Sequence, residues 1–409
     1  MNTATGAQAG GAQATSAALK PTAALVLGSD YRALAAVRSL GRRGVPVHVI
    51  ASGNDRLASF SRYTRATFHW PDGERDRLEL LERLARADGE TWMLLPSHDE
   101  LAAFVSQHHQ RLAQLFALTT PPWEIFRLTY DKRGTYELAQ SVGVDCPATF
   151  YPRNRSEVEQ LELTFPVILK PAAKPEDNLL TLAKAWRLDD RDELLRRYDE
   201  ACAFMSPDLL MIQELIPGGG TAQLSYAALA ESGEVLHSLV ARRTRQYPAD
   251  FGRASTFVET IEDPGLEEPS RRVLEAARFS GLVELEYKID EQSGRTLLLD
   301  MNPRVWGWQS LCTRAGVDFP WLLWLHLRDE DVPRAEATPG VRWVRLSTDL
   351  PTAIAEIVRR RLSLRSYLAS LRPPHDSAIF ARDDLKPALV ELPMLMGTLI
   401  RRLVSREGV

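Results

Sequence analysis

Cysteine is scarce in this chain of 409 residues, which contains only Cys146, Cys202 and Cys312. They are odd in number and far apart, so the sequence favours neither a disulfide framework nor a cysteine-based zinc site. No uncharged apolar run reaches about 18 residues, and the first twenty residues lack the apolar stretch of a signal peptide. We therefore expect a protein of the reducing cytoplasm.

Several short catalytic motifs are also missing. None of the eight histidines stands in H-x-x-x-H or H-E-x-x-H spacing, and neither G-x-S-x-G nor G-x-x-x-x-G-K-[ST] occurs. These absences argue against zinc hydrolysis, a serine hydrolase elbow and a P-loop. Lys and Arg number 50 against 54 Asp and Glu, a net charge of −4, which argues against a nucleic-acid partner. With 44% hydrophobic and 25% charged residues, the composition is that of a folded globular protein whose partners are small molecules.

The pattern along the chain predicts four segments. Residues 1–20 are rich in Ala, Gly, Thr, Gln and Ser and are expected to be a flexible leader. Residues 21–121 alternate apolar strands with helices and predict an open parallel sheet of Rossmann-like type. Residues 122–330 predict mixed strands and helices, and residues 331–409 a mainly helical extension. The predicted fold class is thus α/β followed by α+β.

The first turn of the parallel sheet does not favour a dinucleotide site. Gly28-Ser29-Asp30 is not a G-x-G-x-x-G sequence, so the backbone is not suited to approach a pyrophosphate. Loop residues at the carboxyl ends of the strands remain candidates for ligand contact, namely Asp30, His98, Asp99 and Glu100. Helix capping by Asp30 and Ser97 is the favoured alternative.

A predicted hairpin near residues 284–304 brings carboxylates together. Because side chains alternate along a strand, Asp300 and Asn302 share one face, and a turn near Ser293 places Glu286 opposite Asp300 within one residue. Two carboxylates about 4 Å apart repel by roughly 4 kcal/mol at an effective dielectric near 20, so a cation or a proton is needed to offset the repulsion, and hard oxygen ligands suit Mg²⁺. A surface hairpin with Lys288 and Arg304 as partners is the alternative.

Two lysines add to this signal. Lys170 ends the apolar run 167–169, which is a costly place for an ammonium unless an anion meets it. Lys132, taken alone, is more often a solvated helix residue.

Taken together, these segments resemble the ATP-grasp superfamily, in its order and rough spacing: Asp131-Lys132, Ile168-Leu169-Lys170-Pro171, Gln213 to Gly218, Glu286-Tyr287-Lys288 and Leu299 to Arg304. Further segments look like the stand-alone carboxylate–amine ligases of that group: 41–44, 96–100, 304–307 and 381–384. D-aspartate ligase and the carbamoyl-phosphate synthetase domains are more distant in resemblance. The likeness extends over most of the chain.

The resemblance implies an N-terminal pre-ATP-grasp lobe and two lobes that clasp ATP, with Mg²⁺, or alternatively Mn²⁺, bridging its phosphates. It assigns the phosphates to Lys132 and Lys170, and the adenine edge to the hinge residues Gln213, Glu214, Leu215 and Ile216. It assigns the metal to Glu286, Asp300 and Asn302, and the transferred phosphoryl group to Arg304 as the catalytic residue. Arg243 and Arg245 are assigned to phosphate or substrate carboxylate, with a solvated strand edge as the alternative.

Three features depart from the superfamily pattern. Asp300 replaces the more usual Glu of its motif and is one methylene shorter. Residues 172–178, after the second lysine, lack the usual Gly or Ser, although Lys174 offers a charge. Gly219, Gly220 and Thr221 stand where an acidic residue commonly binds the ribose.

The implied function is an ATP-dependent ligase that forms an acyl phosphate from a carboxylate and then an amide with an amine. The N-terminal lobe is expected to bind one of these substrates. A catalytically silent ATP-binding scaffold or sensor is the alternative, and a phosphotransferase also stays open.

The C-terminal tail is basic, with 13 Lys and Arg against 9 Asp and Glu from residue 331 onward. The arginines at 359–361 and 401–402 and the apolar run 392–400 could touch an anionic membrane surface. Packing against the ligase lobes is the favoured use, because Pro393 interrupts a run already too short to span a bilayer.

Overall fold

A computed structural model of the protein describes residues 19–51, 56–87, 89–172, 180, 184–247, 254–373 and 375–394. Residues 1–18 of the predicted leader, residues 173–179 with Lys174, residues 248–253 and residues 395–409 lie outside the described residues.

The N-terminal lobe is a five-stranded parallel sheet in the order β3-β2-β1-β4-β5. Strands β1, β2, β4 and β5 are largely buried apolar runs, as expected of a sheet covered by helices on both faces, whereas the edge strand β3 is partly exposed. Asp30 begins the first helix, where its side chain accepts from the backbone N–H of Arg32 and Ala33. The elements are β1 Ala23–Leu27, α1 Tyr31–Gly41, β2 Val47–Ala51, β3 Thr64–His69, α2 Glu74–Ala87, β4 Trp92–Pro96, α3 Asp99–Gln107, α4 His109–Leu112 and β5 Phe116–Leu118.

A small antiparallel sheet in the order β6-β9-β7-β8 forms the second lobe. Two helices precede it, and their junction at Asp131 places Lys132 at the start of a helix whose first N–H donates to the Ala172 carbonyl at 3.1 Å. The elements are α5 Trp123–Tyr130, α6 Lys132–Ser141, β6 Thr149–Phe150, α7 Arg155–Gln160, β7 Val167–Pro171, β8 Trp186–Leu188, α8 Arg191–Cys202 and β9 Leu210–Glu214.

A larger sheet of seven strands in the order β14-β13-β10-β11-β12-β15-β16 forms the third lobe. It is antiparallel except for the last pair, β15 and β16. The elements are β10 Gln223–Glu231, β11 Glu234–Tyr247, β12 Ala254–Thr260, α9 Glu267–Ala277, β13 Gly281–Ile289, β14 Thr296–Asn302, α10 Gln309–Arg314, α11 Phe319–Leu327, β15 Arg342–Val344, α12 Leu346–Val358, α13 Leu364–Ser370 and β16 His375–Ser377.

The extension expected to be mainly helical therefore also contributes two strands to the large sheet. Strand β15 pairs with β12, and β16 pairs with β15. Short strands of three residues carry little periodic signal, so their pairing depends on the partner strand rather than on their own sequence.

The lobes share buried contacts. Apolar side chains of α1 lie in one core with those of β10, β11, α10 and α11. Arg38 of α1 donates to Asp384 at 2.9 Å, and both side chains are buried. At Gly281 a Cβ atom would lie 2.3 Å from the Thr119 carbonyl oxygen, so β13 begins in direct contact with the end of the N-terminal lobe. The expected parallel-sheet lobe followed by two further lobes is confirmed. In the described part of the chain, no helix combines the length and apolar character that a bilayer crossing requires.

Candidate active site

The carboxylates of the predicted hairpin face each other across neighbouring strands. In the β13–β14 pair, Glu286 is the register partner of Asp300, and Glu284 is that of Asn302. The Asn302 amide donates to Glu286 Oε1 at 2.9 Å. The register that alternation predicts for Glu286 and Asp300 is therefore the one observed, and the two carboxylates are neighbours on one sheet face.

Two cations from other elements neutralise these carboxylates. Lys132 Nζ of α6 lies 2.8 Å from Asp300 Oδ2, and Arg243 of β11 forms an ion pair with Glu286. Arg243 is buried and also donates from Nε to Ser255 Oγ at 2.7 Å. Burial alone would lower its pKa, yet Glu286 and Glu284 raise the pKa of Arg243 above its ordinary value. Three lobe segments that are distant in sequence thus meet at one charged centre.

The pKa values of the two glutamates of β13 are shifted in opposite directions. Burial and then the neighbouring Glu286 raise the pKa of Glu284, which accepts hydrogen bonds from Ser225 Oγ and from Trp308 Nε1. Burial would also raise the pKa of Glu286, but Arg243 and Lys184 hold it below its usual value. Glu286 is therefore the ionised oxygen donor of the pair, and Glu284 is a buried support beneath it.

Lys170 extends from β7 toward the same centre. Burial, followed by the nearby charge of Lys132, lowers its pKa to about 7, while Asp300 and Glu286 partly offset this effect. An anion that entered the cleft would restore the charged form.

Lys184 is a further cation that the sequence analysis missed. Its side chain is exposed, yet desolvation by the surrounding protein lowers its pKa, while Glu286 and Asp300 raise it. No motif surrounds it in the sequence, so no local pattern signals its position.

Arg304 connects the site to the N-terminal lobe. Its Nε and Nη2 lie 3.1 and 3.2 Å from the two oxygens of Asp99, and Nη2 also donates to Asn302 Oδ1 at 3.0 Å. The sequence makes Asp99 a candidate loop residue for ligand contact. In the structure it is the first residue of α3 and holds the guanidinium next to the carboxylate cluster.

The hinge is built from backbone as well as side chains. Glu214 Oε1 accepts from the Ala148 N–H at 3.0 Å, and the Ile216 carbonyl accepts from Lys288 Nζ at 2.8 Å. The Leu215 N–H donates to the Pro166 carbonyl at 3.4 Å. The Gln213 amide is buried and donates to Tyr136 and Thr149, so this side chain supports the hinge from within the lobe.

A cavity of about 700 Å³ lies beside the hinge, lined by residues that include Glu214, Leu215 and Pro217. The lining residues identified there do not include Lys132, Lys170, Glu286 or Asp300. It is therefore the charged cluster, rather than the cavity, that marks the candidate site.

The structure does not bring Arg245 to this cluster. Its guanidinium donates to both oxygens of Asp349 on α12 at 2.8 Å, and to Ser370 on α13. Asp349 is fully buried. Arg245 thus ties two C-terminal helices to the large sheet.

The chain is similar in sequence and in fold to known ligases. Residues 207–348 match the family described as ATP-grasp in the biosynthetic pathway with Ter operon. The D-aspartate ligase of Enterococcus faecium is 25% identical over 305 residues, which cover 68% of this chain and 70% of that protein.

Solved structures share the fold at low identity. The L-amino acid ligase from Bacillus licheniformis has a TM-score of 0.59 at 13% identity, over 76% of this chain and 75% of that one. The biotin carboxylase complex with β,γ-ATP from Campylobacter jejuni has a TM-score of 0.62 at 16% identity, over 78% and 74%. The chain is thus similar over part of its sequence to the ATP-grasp family, in sequence to a D-aspartate ligase, and in fold to an L-amino acid ligase and a biotin carboxylase.

Proposed function

We propose that the protein is an ATP-dependent ligase that activates a carboxylate and joins it to an amine. The observation that carries the proposal is the opposed pair Glu286 and Asp300, neutralised by Arg243 and Lys132. The sequence relatives named above support ligation, and the resemblance of the motifs supports ATP as the energy source.

The donor set fits a magnesium–triphosphate ligand. Within the described residues, no group of three His, Cys, Asp or Glu side chains is arranged to hold a metal ion by itself. Two carboxylates and the Asn302 amide offer hard oxygen ligands but not a complete shell, which is typical of Mg²⁺ that also binds substrate phosphates. Cations outnumber these carboxylates, since Lys170 and Lys184 join Lys132 and Arg243 around them. The surplus positive charge suits an anionic phosphate chain.

In the proposed reaction, a substrate carboxylate oxygen attacks the γ-phosphorus of ATP, and the bond to the β-phosphate bridging oxygen breaks. This step gives an acyl phosphate and ADP. The amine then attacks the acyl carbon, phosphate leaves, and the amine loses a proton as the amide forms. The ion held by Glu286, Asp300 and Asn302 would supply charge neutralisation at the phosphates.

The side chains of this chain act by position and charge. Lys132 and Lys170 would hold phosphate oxygens as point charges, and Arg304, oriented by Asp99, would steady the transferred group through its planar fork. The hinge residues 213–216 would hold the adenine base of ATP. Phosphoryl transfer needs little covalent help from protein groups, so this arrangement is sufficient for the first step.

The test is ADP release in the presence of ATP, Mg²⁺ and pairs of amino acids, followed by mass spectrometry of the products. We expect turnover that depends on an acid and an amine together. Asp300→Asn should abolish it, whereas Glu291→Gln, which changes an exposed carboxylate at the end of the same hairpin, should not. Nucleotide binding without turnover for any pair would instead favour the scaffold or sensor, and ADP release with a phosphorylated product but no amide would favour a phosphotransferase.

A further inference from the structure

Exposed apolar side chains are concentrated near the end of the described chain. Of thirteen large hydrophobic side chains that are exposed in the part of the molecule the structure describes, ten lie beyond residue 345. Single exposed apolar residues are ordinary, but a concentration of them marks an interaction surface.

Helix α12 carries four of them in a stripe. Leu346, Leu350, Ile354 and Val358 are 50, 47, 54 and 77% exposed, and their spacing of four residues places them along one side of the helix. The side that faces the sheet holds the buried residues Asp349, Thr352 and Ala353. The stripe is therefore not the part of α12 that packs on the fold.

Helix α13 repeats the arrangement. Leu364 and Leu368, again four residues apart, are 58 and 56% exposed, whereas Tyr367 is buried. The Arg245 guanidinium lies 5.2 Å from the Tyr367 ring centroid and donates to Ser370 of α13 and to Asp349 of α12. The Arg245 guanidinium thus connects both helices to the large sheet, to α12 by an ion pair and to α13 by a hydrogen bond.

The segment that carries these stripes has an excess of positive charge. Between residues 345 and 372 there are six arginines and two carboxylates. Asp349 is buried in its ion pair, and Glu356 is 3.3 Å from Arg359, so neither offers a free negative charge at the surface. The arginines at 359, 360, 361, 365 and 372 are exposed. We call these arginines together with the stripes of α12 and α13 the apolar–basic face.

We propose that the apolar–basic face docks on the surface of a bilayer that contains anionic lipids. Leucine, isoleucine and valine side chains held outward by a rigid scaffold can enter the headgroup boundary, and guanidinium groups beside them pair with lipid phosphates. This inference is separate from the proposed ligase activity and would place that enzyme at a membrane surface.

Charge favours a lipid surface over a second copy of the chain. In a two-fold dimer each patch meets itself, which would bring two copies of a positively charged patch toward one another, because the exposed arginines of residues 345–372 outnumber the carboxylates of that segment. An anionic bilayer supplies the opposite sign and an apolar interior at the same time.

The experiment is co-sedimentation of the full chain with vesicles of phosphatidylcholine alone and of phosphatidylcholine mixed with phosphatidylglycerol. We expect binding to the mixed vesicles that weakens as salt is added. The triple change Arg359→Gln, Arg360→Gln and Arg361→Gln should reduce the partition coefficient by about a hundredfold, because each arginine near the surface contributes about fivefold. The double change Leu350→Ser and Ile354→Ser should also reduce it, at unchanged charge.

The matched control removes three exposed arginines from α2 on the N-terminal lobe, by Arg75→Gln, Arg83→Gln and Arg86→Gln. It should leave vesicle binding unchanged. The proposal is overturned by equal binding to both vesicle types, by no binding to either, or by an equal loss in the control triple. It is also overturned if the chain is dimeric and the Leu350→Ser, Ile354→Ser variant becomes monomeric while vesicle binding stays the same. ADP release in solution, measured separately, tests the ligase and does not bear on this outcome.

Discussion

Arg243 and Arg245 lie two residues apart on β11 and have different roles. Arg243 pairs with Glu286 at the charged centre, whereas Arg245 pairs with Asp349 beneath the C-terminal helices. In a regular strand, residues two apart share a face, but the pairing of β11 with β12 is irregular between Arg242 and Gln246. The local irregularity lets one strand serve both the site and the scaffold.

The two ion pairs also differ in their access to solvent. Glu286 keeps 19% of its side chain exposed at the cleft, whereas Asp349 has none. An accessible carboxylate can exchange its arginine for a metal or a phosphate-bound cation, but an enclosed one cannot do so without unfolding its surroundings. We therefore predict that the accessible pair serves the proposed activity and that the enclosed pair serves stability.

The largest effect is expected from Asp349→Asn. It leaves Arg245 buried without a counter-charge and should lower the free energy of unfolding by about 3 kcal/mol, measured by urea denaturation. The nucleotide affinity of the folded variant should stay within about threefold of the wild type, a change of less than about 1 kcal/mol, because Arg245 lies outside the carboxylate cluster. A loss of affinity with unchanged stability would place Arg245 in the candidate site and contradict the distinction between the two ion pairs.

Glu286→Gln is the reciprocal change at the cleft. It should reduce magnesium-dependent ADP release by about a hundredfold, or roughly 3 kcal/mol of transition-state stabilisation. Its effect on the free energy of unfolding should be smaller than that of Asp349→Asn, because Arg243 stays near Asp300 and the partly open cleft. Stopped-flow and urea measurements on the same preparation check both parts.

The pH dependence of nucleotide affinity tests the role of Lys170 at the carboxylate cluster. Because the pKa of Lys170 is lowered to about 7, its ammonium is present below that pH and must be regained when phosphate binds above it. Affinity should fall as pH rises above 7, by up to about tenfold per unit. Proton uptake on binding, measured calorimetrically in buffers of different ionisation enthalpy, should disappear in Lys170→Gln.

The lowered pKa of Lys170 has the opposite effect on stability, because it makes the free energy of unfolding rise with pH. The unfolded chain keeps Lys170 protonated up to its ordinary value of 10.5. Between about 7 and that value the unfolded state binds the extra proton, so this group makes the folded state more stable as pH rises. A thermal melting series without nucleotide, compared between wild type and Lys170→Gln, isolates this contribution.

The smallest effect is expected from Arg42→Gln. The Arg42–Asp383 pair has side chains 38 and 41% exposed, and such pairs contribute at most about 1 kcal/mol. Urea denaturation should therefore show a change well below that of Asp349→Asn. Equal losses in the two variants would mean that enclosure does not distinguish the ion pairs of this protein.

The sequence predicts the carboxylate site well because that site is local. Glu286 and Asp300 lie on adjacent strands joined by a short turn, so alternation and the turn position nearly fix their register. The sequence does not predict the ion-pair partners that come from distant segments. Arg304 meets Asp99 across 205 positions, and Arg245 meets Asp349 across 104, and no periodic pattern contains such a pairing.

The sequence does not distinguish residues of the same chemical type that have different roles. The sequence places Arg243 and Arg245 together, and it gives no signal for Lys184. Gln213 stands within the hinge motif, yet the register of β9 with β7 and β6 turns its amide into the lobe. Whether a polar side chain faces a cleft or a core depends on strand register and neighbouring lobes.

The order of the lobes, the lysine and carboxylate motifs and the absence of competing motifs can be read from the amino-acid sequence, since each is written within a short stretch of chain. The cations that neutralise Glu286 and Asp300, the arginine that supports the scaffold and the apolar side chains that stay at the surface depend on the tertiary structure. The physical reason is that charge pairing and burial depend on distance in space, and folding brings together groups that the chain keeps hundreds of residues apart.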